Sequence, residues 1–149
     1  MFAHHGVGIA AVGTYAPEGV RTAEEIADES GLPVEMIRDH IGVRHVHVAG
    51  HDEHPSDMAV EAARVALDRS GVDPDRVGVV IYASAGLLDA QVWSPAARVM
   101  DALGLRSGFG FEVRNNCAAA NVGATVAAGL MERDADVDAQ QLEPGDQHQ

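Results

Sequence analysis

From Cys117 to Met131 the chain reads Cys-Ala-Ala-Ala-Asn-Val-Gly-Ala-Thr-Val-Ala-Ala-Gly-Leu-Met, without a single charged residue. Alanine dominates it, so a helix is the expected conformation. A helix with no charged face has no side that prefers water, and it belongs at the centre of a layered fold. It is shorter than the ~20 residues needed to cross a bilayer, so its cover has to be protein. The run Phe109 to Val113 before it is strand-like, and Arg114-Asn115-Asn116 is the short turn between them. This strand–turn–helix constrains everything else in the chain.

The remaining pattern alternates strand and helix signals. Val77 to Ala83 (VGVVIYA) is almost continuously apolar, as in a strand covered on both faces within a parallel sheet. Val7 to Tyr15 reads as a first strand, entering a turn at Ala16-Pro17-Glu18-Gly19. Thr22 and Glu25 form a capping-box pattern at the head of a short helix that Gly31 ends. A second short helix follows Pro33 and carries Met36, Ile37 and His40. Val43 to Val48 alternates as an exposed strand or hairpin arm. Ser56 starts a helix that runs to Gly71, and Ser94-Pro95 starts another that stops at Gly104. The order predicts an α/β fold: a mixed sheet with a buried central helix and outer helices. At 149 residues this is one modest domain, expected over residues 1–131. Residues 132–149 carry Glu132, Asp134, Asp136, Asp138, Glu143 and Asp146 against Arg133 alone, and are expected to form a disordered acidic tail.

Charge and cysteine content exclude several functions. A formal net charge of −13 argues against nucleic acid or an anionic membrane as partner. All ten basic residues are arginine, so no Schiff-base lysine and no Walker-type phosphate lysine exists in this chain. One cysteine forms no internal disulfide and no thiolate zinc site, and fits a reducing, cytoplasmic setting. The first twenty residues lack a charged segment followed by an apolar one, so no secretory signal is expected.

The residue with most chemical promise is Cys117. At the head of a helix a thiolate is favoured by the helix dipole and by unpaired backbone N–H groups. The same groups can hold the oxyanion of an acylated cysteine's tetrahedral intermediate, with Asn116 and Ala118 as oxyanion or elbow support. The plainer reading, a small residue packed like alanine, stands beside it. Other signals are weaker. Gly6-Val7-Gly8-Ile9-Ala10-Ala11 fits G-x-G-x-x-A, but no strand precedes it. His45, His47, His51 and His54, with Asp52 and Glu53, contain zinc- or nickel-ligating residue types. They lack a well-defined third ligand, so a solvated loop and no metal are expected. Tyr82-Ala83-Ser84-Ala85-Gly86 lacks the first glycine of a hydrolase elbow.

Four segments together carry a family resemblance: Gly8-Ile9-Ala10-Ala11-Val12-Gly13-Thr14-Tyr15-Ala16-Pro17, Ile37-Arg38-Asp39-His40-Ile41-Gly42-Val43-Arg44, Ser56-Asp57-Met58-Ala59 with Ala62-Ala63 and Ala66-Leu67, and Phe111-Glu112-Val113-Arg114-Asn115-Asn116-Cys117-Ala118-Ala119. In this order they resemble the N-terminal half of the thiolase-fold condensing enzymes, most closely the β-ketoacyl-ACP synthase III group and its acyltransferase relatives. The likeness is collinear from about Gly8 to Met131.

The resemblance implies that Cys117 takes an acyl group, as a thioester, from acyl-CoA or acyl-ACP, the phosphopantetheine thioester being substrate and no cofactor being bound. It implies fatty acid or polyketide biosynthesis. The histidine and asparagine (or second histidine) that assist condensation lie in the family's second half, and none of the eight histidines here has a matching context. A partner chain resembling the C-terminal half is therefore expected, or a homodimer through the strand before Cys117, or both, with acyl carrier protein or a CoA thioester as the substrate partner. Trp93 stands where an aromatic of the family approaches the partner subunit's acyl pocket, and equally reads as a partly buried anchor beside a helix. Met36 and His40 stand where initiating members often carry tryptophan and arginine near the CoA adenine. Two alternatives stay open: a non-catalytic truncated paralogue acting as a structural or regulatory subunit, and acyl transfer without condensation.

Overall fold

The computed structural model describes residues 6–86, 89–90 and 92–141, with side chains through Arg133. Its elements run β1 (Gly19–Thr22), α1 (Ala23–Ser30), a π-helical turn (Met36–Ile41), β2 (His45–Val48), α2 (Pro55–Ser70), β3 (Val79–Ser84), α3 (Pro95–Ala102), β4 (Phe109–Arg114), a 3-10 turn (Asn116–Ala118) and α4 (Ala119–Gln141). β1 and β2 pair antiparallel, Gly19 opposite Val48 and Thr22 opposite His45. β3 and β4 pair parallel, Val79 beside Phe109 and Ser84 beside Arg114.

Local chemistry explains the first half. Thr22 Oγ1 accepts from the Glu25 amide at 3.3 Å while the Glu25 carboxylate accepts from the Thr22 amide at 2.8 Å, so the expected capping box starts α1. Those bonds, the Thr22 amide first, hold the Glu25 carboxyl below its usual value. Gly31 closes α1 in the left-handed region at φ 72°. Gly19 lies so close to the Val48 carbonyl that a Cβ there would fall 2.5 Å from its oxygen, and this allows the hairpin to close.

The β3–β4 pair is sandwiched between helices. Cross-strand partners share a face, so Val80 and Gly110 look one way and Ile81 and Phe111 the other. Gly110 faces α3, leaving room for Ala96 and Met100, each 3.0 Å from where a Cβ would stand. Ile81 and Ala83 face Gly123 of α4. α2 packs against α3, and Arg98 pairs with Asp57 at 3.1 Å between them. The buried residues are mostly small or β-branched, among them Ala23, Val60, Ala96, Val99 and Ala119.

Four expectations are corrected. Val7–Tyr15 joins neither sheet. It runs along α2, where Arg69 Nη1 donates to the Val12 carbonyl at 2.7 Å and Gly13 lies against the Ala62 backbone. Its Val12 carbonyl finds its partner on a helix, and Ile9 and Val12 are left 86% and 61% exposed. Gly19–Thr22, read partly as turn, is a strand because β2 offers it a ladder. α2 begins at Pro55, whose fixed φ suits the first helical position; Ser56 lies one residue inside and is 1% exposed. Finally, α4 starts at Ala119 and stays helical past Met131 to Gln141; residues 142–149 of the expected tail lie outside the described residues.

The uncharged stretch of α4 is covered on one side only. Ala119, Gly123 and Ala128 are buried, while Ala120, Ala124, Val126 and Met131 are exposed, because one sheet supplies one layer. A groove of about 740 Å³ runs between this helix and β3, lined by Val79, Ile81, Ala83, Ala120, Ala124 and Leu130 among others. Among the described residues no helix is long and apolar enough to cross a membrane.

Candidate active site

Parallel strands deliver their following turns to one edge of the sheet, so the segments after Ser84 and after Arg114 leave the β3–β4 pair side by side. On that edge Asn115 takes φ −152°, ψ 47°, and Asn116 takes φ 42°, the single positive φ of a non-glycine residue among the described residues. Asparagine tolerates this region better than most side chains. The reversal presents Cys117 as an exposed free thiol, one 3-10 turn ahead of α4 and its positive dipole end.

Asn116 and Ala118, on either side of Cys117, make different backbone bonds. Asn116 supplies the left-handed bend, and its carbonyl accepts from the Ala119 amide. The Ala118 amide donates to the Asn115 carbonyl at 2.9 Å. That bond closes the 3-10 turn that carries Cys117.

Trp93 is 41% exposed, with its indole Nε1–H donating to the Ser94 carbonyl at 2.9 Å. Ser94 caps α3 by accepting from the Ala97 amide at 3.2 Å, and its hydroxyl donates to Glu112 Oε1 at 2.6 Å. The Ala96 amide reaches the same carboxylate oxygen at 3.3 Å. Glu112 did not stand out as a site residue in the sequence, although an acid in an otherwise apolar strand was the available signal. Ser84 Oγ, at the end of β3, and Asp89 Oδ2 are buried without a hydrogen-bond partner among the described residues. Burial, and secondarily the Asp89 charge, push the Tyr82 phenol above its ordinary pKa.

The histidine-rich loop lies apart from this edge in the chain's order. His45 and His47 meet edge to face with ring centroids 6.1 Å apart, and His47 Nδ1 lies 2.6 Å from the Pro17 carbonyl. His51 pairs with Asp52 at 3.1 Å in full solvent. Glu53 accepts from the Gly50 amide at 2.6 Å and from the Tyr15 hydroxyl. Among the described residues no three His, Cys, Asp or Glu side chains converge as a metal site. Met36 and His40 are exposed on the π-helical turn, where Arg38 pairs with Glu24.

No family model matches the chain. β-Ketoacyl-[acyl-carrier-protein] synthase III of Listeria innocua is 33% identical over 121 residues, 81% of this chain and 38% of that protein. The enzyme of the same name from Cereibacter sphaeroides is 35% identical over 127 residues, 82% of this chain and 39% of its own length. The chain thus spans well under half the length of these curated relatives. Among solved structures, the priming β-ketosynthase of the R1128 polyketide biosynthetic pathway superposes with a TM-score of 0.76 at 27% identity, over 80% of this chain and 36% of that one. Cerulenin-bound OleA of Xanthomonas campestris gives 0.75 at 26% identity, over 89% and 42%. Over about four fifths of its length the chain is therefore homologous to the N-terminal part of β-ketoacyl-ACP synthase III and OleA, and its mixed α/β architecture matches the N-terminal portion of thiolase-fold condensing enzymes.

Proposed function

We propose that this chain is the acyl-accepting subunit of a β-ketoacyl-ACP synthase III-like acyltransferase, with Cys117 as the acceptor. The observation that carries the reading is the presentation of the chain's sole thiol. It is exposed, follows the Asn116 bend, and stands at the carboxyl edge of a parallel strand pair ahead of a helix that carries no charge until Glu132. In the step, the Cys117 thiolate attacks the thioester carbonyl of acyl-CoA or acyl-ACP. The tetrahedral intermediate collapses, the donor's C–S bond breaks, and the donor leaves as the phosphopantetheine thiolate, which takes up a proton from solvent. The proton first lost by Cys117 passes to solvent or to a base of the partner.

The histidine and asparagine of the condensing step come from a partner chain resembling the C-terminal portion of the relatives. Two features support this: α4 carries no charge from Ala119 to Met131 and leaves Ala120, Ala124 and Val126 exposed, and the groove beside β3 is apolar. The outer edge of β4, where Phe109 is 54% exposed, suits pairing with a second copy. Acyl carrier protein or CoA is the substrate partner. Nucleic acid and membrane are not partners, and the setting is the cytoplasm.

Intact-mass spectrometry after incubation with a panel of acyl-CoA and acyl-ACP donors, with and without any copurifying chain, tests the reading. A stoichiometric adduct that disappears in Cys117→Ser establishes the acceptor and names the donor. An adduct formed only with the copurifying chain means that the site is completed in trans. No adduct in either case overturns the proposal in favour of a non-catalytic structural or regulatory subunit.

A further inference from the structure

We infer that Glu112 is a positioning residue that couples the Trp93 segment to the Cys117 elbow. Glu112 is the one acid in the paired strands Val79–Ser84 and Phe109–Arg114. It lies two residues from Gly110, so it points to the same side of the sheet, toward α3. A carboxylate placed between a sheet and a helix loses solvation unless it is hydrogen-bonded, and an apolar side chain of similar volume would fill the layer without that cost. Packing therefore gives no reason for an acid at this position.

Its bonds give one. Glu112 Oε1 accepts from the Ser94 hydroxyl at 2.6 Å and from the Ala96 amide at 3.3 Å. Ser94 in turn receives the Trp93 indole N–H on its carbonyl at 2.9 Å. On the other side, β4 runs from Glu112 through Val113 and Arg114 straight into the Asn115-Asn116 reversal that presents Cys117. The path from indole to thiol is thus two hydrogen bonds through Ser94 followed by a short, ladder-held strand. A displacement at Cys117 is transmitted along β4 to the Ser94–Glu112 bond, and from there to the Trp93 ring. The inference rests on Cys117 as the reactive group of the proposed site and adds the residue that ties it to its neighbouring aromatic.

The chain has one tryptophan and one cysteine, so both ends of the path can be read separately. The experiment alkylates Cys117 with iodoacetamide in the full chain and follows Trp93 emission and its quenching by acrylamide, with circular dichroism as a check of folding. Alkylation is expected to shift Trp93 emission in the wild type. Glu112→Gln keeps a carbonyl oxygen that accepts both bonds and should retain the shift, while Glu112→Ala should lose it. Ser94→Ala removes the same bond from the other side and decides the matter should Glu112→Ala fail to fold. An unchanged shift in folded Glu112→Ala or Ser94→Ala overturns the inference, as does the absence of any shift in the wild type. Alkylation needs no acyl donor, so this result is independent of the acyl-transfer test.

Discussion

The Tyr15 hydroxyl donates to the Glu53 carboxylate, joining the extended segment before β1 to the loop that leads into α2. The same carboxylate takes the Gly50 amide, so one side chain closes its own loop and ties it to a segment far away in sequence. The Gly50 amide first, and the Tyr15 hydroxyl second, hold the Glu53 carboxyl below 4.5. The bond to Glu53 also raises the Tyr15 phenol above 10.0. A carboxyl depressed in the folded state contributes stability above its unfolded value, and that contribution is lost as pH falls through the folded value. A phenol raised in the folded state contributes below 10.0 and loses the contribution as pH rises through its folded value. Tyr15→Phe should therefore lower the melting temperature at pH 7, with the gap to wild type narrowing below pH ~4. Thermal melts across that range check it, and a gap independent of pH would sink the latch.

At the head of α1, Thr22→Ala removes the acceptor for the Glu25 amide and should cost about 1 kcal/mol. Urea titration reads this as a lower midpoint at unchanged slope. No loss would mean that the Glu25 carboxylate alone holds the helix end.

Gly13 has no room for a side chain. A Cβ there would lie 2.0 Å from the Ala62 carbonyl oxygen and 2.5 Å from the Ala66 nitrogen, both backbone atoms. Gly13→Ala should destabilise by about 1–3 kcal/mol through overpacking, and should free the segment before β1 from α2. Hydrogen exchange at residues 9–15 reports that release directly. Protection equal to wild type would show that the close approach is dispensable.

At the elbow, Asn116→Gly should be tolerated, since glycine adopts φ 42° without strain. Asn116→Val should cost about 1–2 kcal/mol and change the rate at which Cys117 is alkylated. Equal alkylation rates in the two variants would separate the bend from the presentation of the thiol.

Sequence made some of this legible and concealed the rest for physical reasons. Capping signals are local, so Thr22, Glu25, Gly31, Ser94 and Gly71 mark their helix ends in the structure as in the pattern. The strand–elbow–helix around Cys117 was legible because an uncharged run after a β-rich run has few other uses. Val7–Tyr15 misled because an apolar, partly β-branched run states a preference but not a neighbour; its partner is the backbone and Arg69 of α2. Glu112 was invisible as a tie because its donors, Ser94 and Ala96, lie well before it in the chain and meet it only where the head of α3 packs on β4.

The groove beside α4 is an apolar surface on a body of formal charge −13, and the two properties together sort arrivals before contact. A chain with a basic rim around an apolar ridge is drawn in from about a Debye length away, ~8 Å at physiological salt, and its association slows as salt is added. A second copy of this chain brings the same negative charge, and the repulsion between the two weakens as salt is added. Ionic strength thus acts on this surface as a selector between unlike and like partners.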